Sequence, residues 1–198
     1  MALASPSHIP RNARFRLIQF YILHRAYLTP AKINRFFNRT DAACLRCSHV
    51  DAVMLHMMWA CPALTQYWVS VFSHLSLCTG RKLPQTWETG LLGIQRRDKK
   101  HRATTRFIDL GLLLAKRLIT KYWKANTAPL IPAWIKSITT WAQAKSAALH
   151  TEEIKGLRKY PMASFWDAVL TKLMTSQHLG TPITGDTEAT QPVNTTQA

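Results

Sequence analysis

Three cysteines and one histidine occupy a short stretch of this chain with the spacing Cys44-x2-Cys47-x8-His56-x4-Cys61. Thiolates and an imidazole suit tetrahedral zinc, and two cysteines separated by two residues let one tight turn present both sulfurs to the same ion. Four protein ligands would leave no position for water, so the predicted site is structural. The pattern therefore predicts an irregular, metal-organised loop between helices.

These residues also have simpler interpretations. The three cysteines could be ordinary buried thiols, and His56 a hydrogen-bonded core histidine. His49 could replace His56 as a ligand, although it follows Cys47 by only two residues, where tetrahedral reach is harder. Cys78 lies at the end of an apolar helical stripe and is predicted to be a core residue. A redox role for the first two cysteines is disfavoured, because no βαβ pattern surrounds them.

Apolar residues recur at helical spacing along most of the chain, and no segment shows convincing strand alternation. The prediction is an all-α fold with a zinc-knuckle-like irregular loop between helices and a disordered C-terminal tail. The predicted helices cover about residues 14–27, 30–37, 62–79, 104–124, 132–149 and 165–173. The predicted domain organisation is helices plus the Cys-Cys-His-Cys segment over 1–78, an exposed basic linker over 79–103, a helical region over 104–176 and the tail over 177–198.

The charge balance predicts a polyanionic partner. Twenty-six Lys plus Arg stand against 10 Asp plus Glu, giving a net charge of +16. Residues 96–124 hold ten of the basic and two of the acidic residues, which is half of the net charge. The predicted contacts to RNA or single-stranded nucleic acid are Arg96, Arg97, Lys99, Lys100, Arg102, Arg117, Lys121 and Lys124. Trp59 and Phe36 are candidates for stacking on unpaired bases, and a merely solvated basic surface is the simpler alternative.

Several function classes are disfavoured by what the sequence lacks. No apolar run approaches the roughly 20 residues that span a bilayer, and no apolar stretch typical of a secretory signal follows the N-terminus. Four cysteines are too few for a disulfide framework, which together with the missing signal favours an intracellular location. The acidic residues are scattered, so two-metal phosphoryl chemistry has no evident ligand set. We therefore expect no catalytic site.

Residues 19–30, the Cys44/Cys47 pair and the segment His56-x-x-Trp59-x-Cys61-Pro62 resemble the C-terminal region of LINE-class non-LTR retrotransposon polyproteins, which encode endonuclease and reverse transcriptase. The likeness spans about residues 14–174. In that family the Cys-Cys-His-Cys segment follows the polymerase and is implicated in binding the element's RNA.

The resemblance implies that this chain is a C-terminal fragment of such a polyprotein, without its catalytic domains. Its location would be cytoplasmic ribonucleoprotein, the nucleus, or both, and other regions of the parent polyprotein are candidate partners. The alternative is a degenerate or domesticated remnant that acts only as a protein-interaction or inert helical domain.

Overall fold

The computed structural model describes residues 13–38, 42–95, 101–154 and 162–178, and these residues form helices and connecting turns without any strand. The all-α prediction is therefore confirmed. The α-helices are α1 (Ala13–Leu23), α2 (Pro30–Phe37), α3 (Pro62–Thr79), α4 (Arg102–Lys121), α5 (Ile131–Ile154) and α6 (Met162–His178). Two five-residue π-helical turns, π1 (His56–Ala60) and π2 (Glu88–Leu92), lie between them.

The helix boundaries follow from capping residues visible in the sequence. The Thr29 hydroxyl accepts a hydrogen bond from the Lys32 amide at 3.1 Å, and Pro30 occupies the first turn of α2. Pro62 similarly begins α3, which ends at Gly80 in a left-handed conformation with φ 66°. Helix α1 is shorter than predicted and ends at Leu23, while α5 and α6 are both longer than predicted.

Helix α4 is the centre of the core and contacts α1, α3 and α5, while α6 packs on α5 and α3. The Trp134 indole of α5 is fully buried and donates a hydrogen bond to the Gly111 carbonyl at 2.9 Å. A β-carbon at Gly111 would lie 2.5 Å from the Leu75 side chain, so glycine permits the close approach of α3 to α4. The buried apolar side chains form one continuous cluster, and among the described helices none is long and apolar enough to cross a membrane.

The first part of the predicted linker is only partly exposed: residues 84–87 are exposed as predicted, whereas the prediction is wrong for Leu83 and for residues 89–91, which are buried. Leu83 and Leu91 are buried, and π2 places Gly90 against the Trp59 ring. The glycines and proline of this stretch predicted a loop. Its apolar side chains instead pack on α1, α4 and π1, and this surface exists only in the folded protein. Residues 96–100 lie outside the described residues, as do 179–198 of the predicted tail, whereas 177 and 178 belong to α6.

Candidate metal centre

A tight turn presents the first two cysteines. The Cys47 and Ser48 amides donate to the Cys44 carbonyl at 3.3 and 2.7 Å, and the Cys44 amide donates to the His49 carbonyl at 2.9 Å. Ser48 and Asp51 adopt left-handed φ values of 57° and 61°, which turn the chain back on itself. The loop is therefore held by its own backbone, with both sulfurs near the same point.

The other two residues of the pattern are placed by π1, not by an irregular loop. His56 begins π1 and Cys61 follows it as the N-cap of α3, with the Cys61 amide donating to the His56 carbonyl at 3.0 Å. This bond spans five residues, and such wide turns occur frequently at functional sites. The Arg46 guanidinium connects the two halves of the site, donating to the Met57 carbonyl at 2.8 Å.

The four side chains converge. The Sγ atoms of Cys44 and Cys61 are 3.8 Å apart, those of Cys61 and Cys47 3.6 Å, and the Cys47 Sγ lies 3.3 Å from the His56 Nε2. All four ligand atoms lie within 4.8 Å of one another. These S···S separations are far longer than the about 2.05 Å of a disulfide, and the cysteines are free thiols. The geometry can hold a metal ion, and the four predicted ligands are the residues brought together.

The local electrostatics favour the ligand forms of two of these side chains. Burial alone would raise the pKa of the Cys44 thiol, but hydrogen bonds from the Arg46 and Cys47 amides lower it overall. The His56 pKa is lowered, first by burial and then by the nearby His49 and Arg46, so its imidazole is kept neutral. Burial raises the pKa of Cys61 to about 11, so a bound cation is what would deprotonate this thiol.

His49 and Cys78 both lie outside the group of four converging side chains. The His49 ring stacks on the His56 ring, with centroids 4.5 Å apart and planes 14° apart, but His49 is not part of the ligand group. Cys78 is buried in α3 away from the group, as predicted for a core residue, and burial raises its pKa to about 11. One open pocket of about 450 Å³ lies beside the site and is lined in part by His49 and His56.

The predicted nucleic-acid contacts fall into two groups. Arg96, Arg97, Lys99 and Lys100 lie outside the described residues, whereas Arg102, Arg117, Lys121 and Lys124 are exposed on or just after α4. Arg106, which the prediction omitted, is also exposed on α4. The guanidinium of Arg117 lies over the Phe15 ring at 5.5 Å from its centroid.

Among the described residues of 96–124, the cation of Lys116 is not on the surface. Lys116 is only 3% exposed, and its ammonium donates to the Gln19 Oε1 at 2.6 Å and to the Leu91 carbonyl at 3.0 Å. It thereby joins α4 to α1 and π2, and it should not be counted among the charges available to a polyanion. In the sequence, the apolar residues before Lys116 in α4 indicated that its side chain could be buried, but a count of charges does not register this.

The two aromatic residues suggested as base platforms differ in environment. Trp59 packs against Trp68 and Phe72, with ring centroids 5.0 and 6.1 Å away, and belongs to the core packing. Phe36 is 64% exposed on α2. The structure thus accounts for Trp59 by packing alone. No protein-family model, no curated protein and no solved structure matches this chain.

Proposed function

We propose that this chain binds single-stranded nucleic acid, most readily RNA, through a cationic face of α4 that stands beside a structural zinc centre. The observation that carries the proposal is the convergence of Cys44, Cys47, His56 and Cys61 in a loop that adjoins the C-terminal end of the most basic helix. The metal would fix the loop, and the loop would fix the shape of the surface beside the cations.

Three of the separations are close to those of a tetrahedral zinc site, which supports zinc as the metal. In a tetrahedral site with Zn–S bonds of about 2.3 Å and a Zn–N bond of about 2.05 Å, two sulfurs lie about 3.8 Å apart and a sulfur and nitrogen about 3.6 Å. The observed values are 3.8 and 3.6 Å for two sulfur pairs and 3.3 Å for the sulfur–nitrogen pair. Thiolate and imidazole ligands also favour zinc over the hard cations that prefer oxygen. A complete set of four protein ligands supports a structural role.

The exposed cations of α4 form one stripe. At 100° per residue, Arg102, Arg106, Arg117 and Lys121 fall within an arc of about 100° on the helix, and all four are exposed. We call these four residues the basic stripe. Arg106 and Arg117 are about 16 Å apart along the helix, and Leu110 and Leu113 between them are buried. The four cations therefore form one pair at each end of α4, and each pair would neutralise phosphates and release their counterions, which gives affinity with little sequence preference.

The resemblance to LINE-class polyproteins supports RNA as the natural polymer and supports an origin as a C-terminal segment of a reverse transcriptase. On this proposal the chain itself contributes binding and no catalysis, in the cytoplasmic ribonucleoprotein or in the nucleus.

The test is a fluorescence anisotropy titration of the full chain with a labelled single-stranded RNA across a range of salt concentrations. The proposal predicts that log Kobs falls linearly with log salt. Replacing the four stripe residues with glutamine should make the slope shallower by about 3, at about 0.7 for each phosphate that is no longer neutralised. A flat salt dependence of the wild type contradicts the proposal.

A matched variant separates the stripe from total charge. Arg35, Lys82, Lys136 and Lys145 are also exposed, and they lie on α2, in the connection after α3, and on α5. Their simultaneous replacement with glutamine removes the same net charge and should leave the slope nearly unchanged. Equal effects of the two quadruple variants would assign binding to diffuse charge, against the stripe.

A remnant that serves only in protein interactions is the second candidate, because several large apolar side chains are exposed on α1 and α2. Phe36 and Phe37 are 64% and 67% exposed, and Phe20 of α1 is 51% exposed. This candidate predicts no salt-dependent binding of RNA by the full chain, so the same titration decides between the two.

A further inference from the structure

An open groove of about 1000 Å³ lies between the turn that joins α1 to α2, the metal-binding loop and the C-terminal end of α4. Its walls include the rings of Tyr21, Tyr27 and Trp123, the Leu45 side chain of the metal-binding loop, and Lys124. We call it the aromatic groove. These three rings are not part of the basic stripe.

The rings are held in fixed orientations. Tyr27 and Trp123 lie with centroids 5.2 Å apart and planes 30° apart, while Tyr21 meets Tyr27 edge-on at 5.4 Å and 88°. The Trp123 indole donates a hydrogen bond to the Leu28 carbonyl at 3.0 Å. All three rings are partly exposed. Because folding already orders these rings, a ligand that stacks on them would lose little binding free energy to side-chain immobilisation.

The charge around the groove favours a polyanion. Among the described residues, its lining contains a lysine and no carboxylate. Lys121, the last residue of the basic stripe, lies three positions before Lys124. A strand whose phosphates contact Arg117 and Lys121, at the C-terminal end of the stripe, would reach the mouth of the groove.

We propose that the aromatic groove receives an unpaired nucleobase of a single strand whose phosphates lie along the basic stripe. The proposal rests on the proposed function and adds a base site to it. Aromatic rings stack on any base and tolerate sequence variation, because every base has a π face. A double-stranded helix would not supply such a base, so the groove gives the chain its selectivity for unpaired polymer.

The direct test is photocross-linking of the full chain, loaded with zinc, to a single-stranded RNA of about 15 nucleotides that carries 5-iodouridine. Mass spectrometry of the cross-linked peptides should place the attachment on Tyr21, Tyr27 or Trp123. Cross-links confined to other residues, or the absence of cross-links from a complex that forms by anisotropy, overturn the proposal.

Affinity measurements with two oligomers separate base stacking from charge. The probes are oligo(U) and an abasic oligomer of equal length and charge. Tyr27→Leu and Trp123→Leu should each weaken oligo(U) binding by about 5- to 100-fold and leave abasic binding unchanged. Trp87→Leu is the matched control, since Trp87 is 41% exposed and does not line the groove. Should Trp123→Leu fail to fold by circular dichroism, Tyr21→Leu takes its place.

The outcomes distinguish this inference from the function on which it rests. Equal binding of both oligomers, with a steep salt dependence, would retain the basic stripe and overturn the base site. Failure of both oligomers to bind would overturn both. Concentration-dependent self-association in sedimentation, abolished by the groove variants, would assign the groove to a second copy of the chain and also overturn the base site.

Discussion

The buried ammonium of Lys116 should make the stability of this protein rise with pH above neutrality. Burial lowers the pKa of Lys116 from 10.5 to about 8, and the charge of Asp109 opposes that shift. The unfolded chain therefore binds more protons than the folded chain between these two pKa values. The charged form carries a folding penalty that is fully present below about pH 8 and is relieved as the pH rises toward the unfolded value.

The size of the effect follows from the two pKa values. At about 1.36 kcal/mol for each unit, the full difference corresponds to about 3 kcal/mol, of which about 2–3 kcal/mol would be gained between about pH 7 and pH 10. Burial of thiols and of Tyr27 acts in the opposite direction at high pH, because deprotonation of those groups is disfavoured in the fold. A comparison with a variant that lacks only Lys116 removes their contribution.

Lys116→Met is that variant, since its unbranched side chain is only one atom shorter and has no titratable group. The Gln19 amide still donates to the Leu91 carbonyl at 3.1 Å, so the contact between α1 and π2 retains a hydrogen bond. Urea unfolding followed by circular dichroism gives the free energy of unfolding at each pH. The wild type should gain about 2–3 kcal/mol relative to the variant over this range. Parallel curves would refute the reasoning.

Three further predictions concern the core and the loop. Gly90→Ala should cost about 1–3 kcal/mol of unfolding free energy, because its β-carbon would lie 2.4 Å from the Trp59 ring; an unchanged urea midpoint would contradict this. Gly80→Ala should cost about 1 kcal/mol from left-handed strain alone, since open space surrounds that position, and Gly80→Asn should recover part of the loss in the same assay. Cys44→Ser or a chelator should increase amide exchange across residues 42–61 and leave α5 and α6 protected; uniform protection after either treatment would count against the metal-organised loop.

Helices were predictable where local chemistry and periodicity agree. Thr29 with Pro30, and Pro62 with Gly80, mark α2 and α3 because caps act within one turn of the chain. The group of four converging side chains was predictable for a similar reason, since the Cys44-x2-Cys47 turn is local and three thiols with one imidazole are a combination typical of metal sites.

The tertiary contacts were not predictable from such local signals. The wide turn π1 depends on a backbone hydrogen bond between residues five positions apart. The spacing of apolar residues in the sequence does not distinguish such a turn from a loop. Leu91 sits among glycines that indicate a connection, yet the fold buries it against α1 and α4. Lys116 lies among apolar residues of α4, but the partners of its buried ammonium could not be predicted, because Gln19 and Leu91, to which it donates, are distant in the chain. The aromatic groove brings together Tyr27 and Trp123, which are far apart in the sequence.

The most direct measurement is the zinc content of the purified full chain, obtained by elemental analysis alongside the Cys44→Ser variant. One zinc per wild-type chain, lost from the variant, is the expected result. Zinc-free wild type, with a thermal transition that neither added zinc nor a chelator displaces, would contradict the claim that these thiolates and the imidazole organise the loop around an ion.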